Sequence, residues 1–269
     1  MNPDWRARYE LAVEVAEAAA RIAAGFFPDG DPADFAAGVE WKPDRSPVTA
    51  ADRAAEAFLR NRVINAFPND AFLGEEYGEK PGDSGFRWVV DPVDGTRNFM
   101  RGMPLWGTLV GVEYRGEAIA GAAVMPALGY TYRALRGDGA FRNGRRLRVS
   151  DIADLSDAIL VCSSLSGFFE AGREAAFLEL ARRTQRHRAF GQFYGFVLIA
   201  EGAADVMVEQ AMHVWDVAAV APIVEEAGGR FTDWDGNPTV HRPDVVASNG
   251  KLHDETLRIL KDSSLRAKR

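Results

Sequence analysis

Two aspartates, Asp91 and Asp94, stand three residues apart in the segment 91–96, which reads Asp-Pro-Val-Asp-Gly-Thr. The apolar run before them, Trp88 to Val90, is typical of a β-strand, and Pro92 predicts that this strand ends at Asp91 because proline cannot donate to a sheet. A tight turn through the proline and the following glycine lets both carboxylates reach one point. Carboxylates that close raise each other's pKa, and a divalent cation that prefers oxygen ligands, Mg²⁺ or Mn²⁺, is the simplest stabiliser.

Gly95 and Thr96, which complete this segment, predict a short helical turn that ends before Pro104. The first N–H groups of a helical turn have no partner within it, so they favour an anion such as phosphate beside the cation. Asp-Pro and Asp-Gly also occur in ordinary turns and helix caps, which is the alternative for either aspartate alone. The whole run of a strand, two acids, a glycine and a hydroxyl favours a catalytic site.

Further acidic positions have a structural explanation as well as a catalytic one. Thr49 and Asp52 precede a helical pattern with the spacing of a capping box. Glu75 and Glu76 end a short apolar run, and paired glutamates are commonly solvated. Asp216 stands where a helix is expected to begin, which is a favourable position for an N-cap. From the residues alone, both explanations stay open at each position.

Two motifs in this order resemble the signatures of one enzyme family. Residues 91–96 match D-P-[IV]-D-G-T, and residues 215–219 (Trp-Asp-Val-Ala-Ala) with 226–229 (Glu-Ala-Gly-Gly) match W-D-x-(small)-A ending in E-A-G-G. Over about residues 46–236 the chain is similar to the metal-dependent, lithium-sensitive phosphomonoesterases of the inositol monophosphatase superfamily. The resemblance implies a mixed α/β (α+β) fold, the layered αβαβα sandwich of the inositol monophosphatase and fructose-1,6-bisphosphatase type, and a homodimer.

The same resemblance assigns roles to individual residues. It implies two or three Mg²⁺ ions, with Mn²⁺ as an alternative. Asp52 and Thr96 accept the proton of the attacking water, Glu76 lies near that water, and the amides of Gly95 and Thr96 bind phosphate. The expected metal ligands are Glu75, Asp91, the carbonyl oxygen of Val93, Asp94 and Asp216.

The charge of a phosphate monoester decides the predicted mechanism. Its dianion repels hydroxide, so the enzyme must neutralise that charge and lower the pKa of a water molecule, and two Mg²⁺ ions about 4 Å apart can do both. A covalent phospho-aspartate needs carboxylates two residues apart, as in D-x-D-x-T, whereas Asp91 and Asp94 are three apart. The histidines show no metal-ligand spacing, which disfavours a zinc phosphatase.

Three segments resemble the histidinol-phosphatase branch of the superfamily: residues 98–106, 163–168 and 190–194. Aromatic bulk at Phe193 and Tyr194 fits a flat imidazole better than a polyol, and Glu209 can pair with a cationic amine or imidazolium. Gln192 departs from the branch, which often has Asp there. The predicted substrate-binding residues are Glu209, Ser164, Arg188, Gln192 and His213. The predicted substrate is histidinol phosphate. The alternative substrates are inositol 1-phosphate and a 3′-phosphorylated adenosine nucleotide, and a non-catalytic RNA-associated regulator is a remote alternative.

The composition is ordinary for a soluble chain, with 47% hydrophobic and 26% charged residues among 269. We expect a small-molecule phosphate ester as the ligand. A net charge of −7 disfavours nucleic acid, whose binding depends on Lys and Arg, and no apolar run approaches the roughly 20 residues that span a membrane. The single cysteine, Cys162, rules out an intramolecular disulfide, and the charged start of the chain lacks a signal-peptide core. Together these features predict a cytoplasmic protein.

Local patterns predict the elements that carry these residues. We expect helices at 4–24, 174–184 and 252–260, an antiparallel meander at 105–149, and alternating strands and helices of a parallel or mixed layer from 159 on. A strand at 204–209 ends at Glu209, and Pro222 predicts a kink in the helix after Asp216. The region 30–42 reads as a loop, and in the resembled family the loop with Lys42 and Asp44 closes over the site. We expect two halves, residues 1–150 and 151–269, to pack as one unit.

Overall fold

Two β-sheets and their covering helices make up the described part of the chain, residues 2–28, 40–41 and 47–262 of a computed structural model. Lys42, Asp44 and most of the predicted 30–42 loop lie outside these residues. The helices are α1 (Pro3–Ala24), α2 (Ala50–Ala66), α3 (Thr96–Phe99), α4 (Ser166–Glu170), α5 (Glu174–Arg183), α6 (Gln192–Glu201), α7 (Val214–Val217), α8 (Val220–Glu226) and α9 (His253–Lys261). The strands are β1 (Glu40–Trp41), β2 (Pro47–Val48), β3 (Ala71–Gly74), β4 (Gly78–Lys80), β5 (Phe86–Asp94), β6 (Gly107–Tyr114), β7 (Glu117–Met125), β8 (Tyr130–Leu135), β9 (Gly139–Arg142), β10 (Arg145–Arg146), β11 (Ile159–Val161), β12 (Arg186–Arg188), β13 (Val206–Glu209), β14 (Arg230–Asp233) and β15 (Val245–Ser248).

These elements stack in layers, as the sequence predicts. An eight-stranded sheet in the order β10-β9-β8-β7-β6-β5-β3-β4 is covered on one face by α1 and α2 and on the other by α7 and α8. A five-stranded sheet, β12-β11-β13-β15-β14, lies beyond α6 and α8, and α5 and α9 cover its outer face. The mixed α/β class and the αβαβα sandwich are therefore confirmed.

Buried apolar clusters fill the spaces between the layers. Ala12, Ala16 and Ala19 of α1 are fully buried in the cluster on the outer face of the large sheet, where small side chains let the helix approach the strands. The cluster between the sheets joins residues from both predicted halves, including Met125 and Phe196. The division at residue 150 itself stays a prediction. Among the described residues, no helix combines the length and the apolar character needed to cross a membrane.

The predicted elements are largely present. The helix at 4–24, the antiparallel meander β6 to β10 and the closing helix α9 are confirmed. The second sheet is mixed, because β11 runs parallel to β12 and β13 while β15 runs antiparallel to β13 and β14. Strand β12 was not predicted, since its three exposed residues, Arg-His-Arg, carry no apolar pattern.

The prediction that Pro92 ends the central strand is wrong, because β5 continues to Asp94. Asp91 pairs with Leu109 and Asp94 with Gly107, so three steps along β5 face two along β6. This extra residue is a β-bulge, and a proline inside a bulge has no ladder hydrogen bond to donate. The bulge keeps both aspartates on the strand and turns them to the same end of the sheet.

Asp216 is not the N-cap of its helix, because His213 holds that position and Asp216 is the third residue of α7. The expected kink is a break between α7 and α8, which puts Pro222 in the first turn of α8, where an N–H has no intrahelical acceptor. A Cβ added to Gly121 would lie 1.9 Å from the carbonyl oxygen of Ala219. The small residues of β7 and of the W-D-V-A-A segment therefore let the break, and Asp216 with it, lie directly on the large sheet.

Candidate active site

A cleft of about 690 Å³ opens where β5 and β13 end and where α3, α6 and α7 begin. Most of the residues that the sequence singles out line it: Glu75, Asp91, Val93, Asp94, Gly95, Thr96, Ser164, Gln192, Glu209, His213 and Asp216. Asp52, Glu76 and Arg188 are not among its lining residues. The structure thus brings together residues that lie up to 141 positions apart, from Glu75 to Asp216.

Asp91, Asp94 and Asp216 form the centre of this cleft, and one carboxylate oxygen from each of them lies within 4.8 Å of the other two. Each carboxylate also accepts a hydrogen bond from a backbone N–H, at 2.7–3.0 Å: Val93 N to Asp91, Phe193 N to Asp94, and His213 N to Asp216. These bonds fix the direction of each side chain. The cluster offers oxygen donors only, which is the donor set of a hard divalent cation.

The carboxylates at this centre repel one another, which is seen in their raised pKa values. Burial, followed by the charge of Glu75, raises the pKa of Asp91 well above its usual value. Burial and then the charge of Asp216 raise the pKa of Asp94 in the same way. Burial raises the pKa of Asp216 to about 7, with Glu75 adding to the effect. A cation bound among these carboxylates would remove this repulsion, so the cluster can hold a metal ion.

Gly95 joins β5 to α3 in the left-handed conformation, with φ of 89°. A Cβ there would lie 2.9 Å from the carbonyl oxygen of Leu105, so both the backbone angle and the space require glycine. The Gly95 N–H donates a hydrogen bond to the Asp94 carboxylate, so this N–H lies beside the carboxylate cluster. Phosphate binding by the Gly95 and Thr96 amides stays a prediction.

Asp52 and Thr96, which the family resemblance pairs as acceptors of the water proton, form no hydrogen bond with each other in the described part of the chain. Asp52 Oδ2 accepts hydrogen bonds from Thr49 N (2.8 Å) and Thr49 Oγ1 (2.5 Å), which completes the predicted capping box of α2. The Thr96 hydroxyl donates to the carbonyl oxygen of Val93 at 3.1 Å. Burial raises the pKa of Asp52 to about 6, and Glu76 and Glu75 add to the effect. The capping role is therefore observed, and the water-activating role stays a prediction.

The prediction that the aromatic side chains of Phe193 and Tyr194 face the substrate is wrong. Gln192 begins α6 with φ of 51°, and the Phe193 ring turns into the core against Gly107. Tyr194 packs against Phe190, with ring centroids 5.8 Å apart. Of residues 190–194, Gln192 is the one among the lining residues of the cleft.

Aromatic rings line the cleft from another element. His213 and Trp215 both line it, and their rings stack with centroids 4.5 Å apart and an interplanar angle of 12°. The sequence predicts His213 in the pocket and indicates Trp215 only as part of its motif. Arg188 is exposed on β12 and donates to the carbonyl oxygen of His187 at 2.8 Å. Its predicted place in the pocket is therefore not supported.

Ser163 connects two of the predicted substrate residues. Its N–H donates to Glu209 Oε1, and its hydroxyl oxygen accepts the Gln192 N–H at 2.8 Å. The Gln192 side chain in turn accepts a hydrogen bond from Asn98 Nδ2 at 3.3 Å. Glu209 is buried, and burial raises its pKa to about 8. Ser164, next in the chain, is exposed at the rim of the cleft.

Glu56 was not predicted as a functional residue. It lies on the buried face of α2, one turn after Asp52, and accepts the N–H groups of Glu76 and Tyr77. The signal in the sequence was a charged residue between Ala55 and Leu59, at the spacing of the apolar face.

The sequence matches the model of the inositol monophosphatase family over residues 4–265. It is 45% identical over 231 residues to a histidinol-phosphatase of Streptomyces coelicolor, covering 82% of this chain and 86% of that protein. An inositol-1-monophosphatase of Mesorhizobium japonicum is 34% identical over 221 residues, 80% of this chain and 82% of that protein. The solved structure of the extragenic suppressor protein suhB from Bartonella henselae has a TM-score of 0.86 at 31% identity and covers 96% of this chain and 99% of that one. The chain therefore belongs to the inositol monophosphatase family and is a phosphoric monoester hydrolase.

Proposed function

We propose that this chain is a Mg²⁺-dependent phosphatase that hydrolyses histidinol phosphate with water as the nucleophile. The observation that carries the proposal is the cluster of Asp91, Asp94 and Asp216, in which one carboxylate oxygen from each residue lies within 4.8 Å of the other two. Such a cluster repels itself unless a cation is bound, and its oxygen donors suit Mg²⁺ better than a softer metal. Glu75 and the carbonyl oxygen of Val93, which line the same cleft, complete the proposed ligand set.

The chain's own groups would bind the phosphate and move the proton. Mg²⁺, when bound, would neutralise phosphate charge and lower the pKa of a water molecule. Asp52, with a pKa of about 6, is mostly ionised at neutral pH and can accept a proton from that water through the Thr96 hydroxyl. For this role the hydroxyl must turn away from the carbonyl oxygen of Val93. Glu76 is proposed to orient the water, and the Gly95 and Thr96 amides to bind phosphoryl oxygens.

Three observations support histidinol phosphate as the substrate. Identity to a histidinol-phosphatase, 45%, exceeds identity to an inositol-1-monophosphatase, 34%. Glu209 is a buried carboxylate in the cleft wall and can pair with an ammonium or imidazolium group. The stacked rings of His213 and Trp215 offer an imidazole a flat surface. Gln192 and Ser164 are proposed polar contacts to the same leaving group. Inositol 1-phosphate is the second candidate because of the 34% identical relative.

Phosphate release from L-histidinol phosphate, inositol 1-phosphate and a 3′-phosphorylated adenosine nucleotide, each with Mg²⁺, tests the proposal. We expect the highest kcat/KM with histidinol phosphate, no turnover in excess EDTA, and inhibition by Li⁺. A higher kcat/KM with inositol 1-phosphate would overturn the substrate and leave the metal mechanism standing. Turnover that EDTA does not reduce would overturn the metal dependence.

The proposed assembly is a homodimer, and the proposed location is the cytoplasm. The support for the homodimer is the family to which the chain belongs. Size-exclusion chromatography with light scattering should give twice the mass of one chain. A mass of one chain at micromolar concentration would contradict the dimer.

A further inference from the structure

Glu56 is a fully buried carboxylate whose hydrogen bonds go to the backbone of another segment. It shares the buried face of α2 with Ala55, Leu59 and Val63. Its Oε2 accepts the N–H of Glu76 at 2.7 Å, and its Oε1 accepts the N–H of Tyr77 at 2.8 Å. A charged group in an apolar face is costly unless such bonds compensate for its lost water. This side chain is therefore held in place by the turn that joins β3 to β4.

The turn between β3 and β4 packs closely against the Glu56 carboxylate. A Cβ added to Gly74 would lie 1.9 Å from Glu56 Oε1, so the glycine leaves the space that the carboxylate fills. Arg60, one helical turn after Glu56, donates to the carbonyl oxygen of Gly78 at 3.3 Å on the other side of the turn. Glu76 and Tyr77, which follow Glu75, are thus fixed to α2 through their N–H groups, and the start of β4 is fixed through a carbonyl oxygen.

This turn contains Glu75, a proposed metal ligand. Strand β3 runs parallel to β5 with Gly74 opposite Val90, so Glu75 follows Gly74 where Asp91 follows Val90. The parallel register places Glu75 and Asp91 side by side at the carboxyl end of these two neighbouring strands. The direction of Glu75 then depends on the conformation of the turn that begins with it.

We propose that Glu56 is a positioning residue of the metal centre, which accepts the Glu76 and Tyr77 N–H groups and so holds Glu75 beside Asp91 for the cation. The inference rests on the metal-dependent function proposed above. It requires both carboxylate oxygens, because Oε2 accepts the Glu76 N–H and Oε1 accepts the Tyr77 N–H. Glutamine has the same shape but only one acceptor, and its amide N–H₂ faces one of the two N–H groups.

Glu56→Gln therefore tests the role with little change in volume. Mg²⁺ and Mn²⁺ binding to the substrate-free protein is measured by titration calorimetry, together with the Mg²⁺ dependence of turnover. Loss of a group that orients a metal ligand typically weakens metal affinity about 10- to 100-fold. We expect the metal Kd to rise by that factor, kcat at saturating metal to recover to within about threefold, and the Glu76 and Tyr77 amides to exchange hydrogen faster.

Glu113→Gln is the matched control. Glu113 is also a buried glutamate, 1% exposed on β6, but it pairs with Arg87 and does not line the cleft. This variant should lower stability without changing the metal Kd more than twofold. Glu56→Asp, which keeps the charge on a shorter side chain, should weaken metal binding in the same direction and serves if Glu56→Gln does not fold.

The outcomes separate this inference from the function on which it rests. An unchanged metal Kd in both Glu56 variants, or an equal loss in Glu113→Gln, would overturn the positioning role and leave the metal-dependent phosphatase standing. If the wild-type protein binds neither Mg²⁺ nor Mn²⁺, the proposed function fails and the inference fails with it.

Discussion

Replacing Glu209 with glutamine is expected to remove most of the preference for a cationic leaving group. Glu209 ends β13, is 3% exposed, and lines the cleft with Oε1 hydrogen-bonded to Ser163 N. Burial raises its pKa to about 8, although the hydrogen bonds from Ser163 act in the opposite direction. A carboxyl in this environment is close to neutral until a positive charge lies beside it, and a substrate ammonium group would bring that charge.

The size of the effect follows from the difference between charged and neutral hydrogen bonds. A hydrogen bond to a charged group contributes about 1.5–3 kcal/mol, and a neutral one about 0.5–1.5 kcal/mol. Subtracting the lower values from each other, and the upper values from each other, leaves a difference of about 1–1.5 kcal/mol. Since 1.4 kcal/mol corresponds to a factor of ten, Glu209→Gln should lower kcat/KM for histidinol phosphate about 5- to 12-fold. The hydroxyl groups of inositol 1-phosphate can still donate to the glutamine oxygen, so its kcat/KM should fall about threefold or less.

The measurement is the ratio of kcat/KM for the two substrates, with saturating Mg²⁺ and a melting curve for each variant. Glu170→Gln is the matched control, because Glu170 also lines the cleft but is exposed, where a charge pair contributes only about 0–1 kcal/mol. The reasoning would be refuted if Glu209→Gln lowered both kcat/KM values equally, or if Glu170→Gln changed the ratio as much.

Three further outcomes are expected. Asp94→Asn should lower kcat/KM more than about 100-fold, while the metal-free protein melts no lower than wild type, because one of the clustered like charges is gone. Raising Mg²⁺ to about 100 times its Kd should add about 2.7 kcal/mol to the free energy of unfolding, and an unchanged melting temperature would contradict metal binding. Burial lowers the pKa of His253 to about 4, below the roughly 6.5 of the unfolded chain, so the unfolded chain binds the extra proton. The free energy of unfolding should therefore fall by up to about 3 kcal/mol as pH drops from about 6.5 towards 4, and His253→Gln should flatten that part of the curve in urea titrations.

Local spacing predicted two of the three carboxylates at the centre of the site, whereas the ligand role of Asp216 came from the family resemblance. Asp91 and Asp94 belong to one strand end, so a few residues of turn chemistry decide where both point. The capping box of Thr49 and Asp52 is likewise complete within one helical turn. The αβαβα order followed from the family resemblance, while the apolar runs predicted the antiparallel meander and the parallel or mixed layer.

Features that depend on distant partners could not be predicted in this way. The acceptor role of Glu56 involves N–H groups 20 and 21 residues further along the chain. The Phe193 ring packs in the core against Gly107, after a left-handed backbone angle at Gln192, and no local pattern indicated either feature. Arg188 lies on a strand whose exposed sequence resembles a loop. In each case the missing information was a contact between elements.

The structural and catalytic explanations of the aspartates are alternatives in the sequence, but the geometry makes them compatible. Asp91 and Asp216 each accept one backbone N–H, from Val93 and His213, and Asp94 accepts two, from Phe193 and Gly95. A carboxylate has two oxygens with about four acceptor positions, so one or two hydrogen bonds leave capacity for a cation. The same hydrogen bonds also restrict rotation of the side chains, which lowers the entropy lost when a metal binds. An aspartate that caps a helix or closes a turn, and has an oxygen within 4.8 Å of two other carboxylate oxygens, is thus already oriented as a metal ligand.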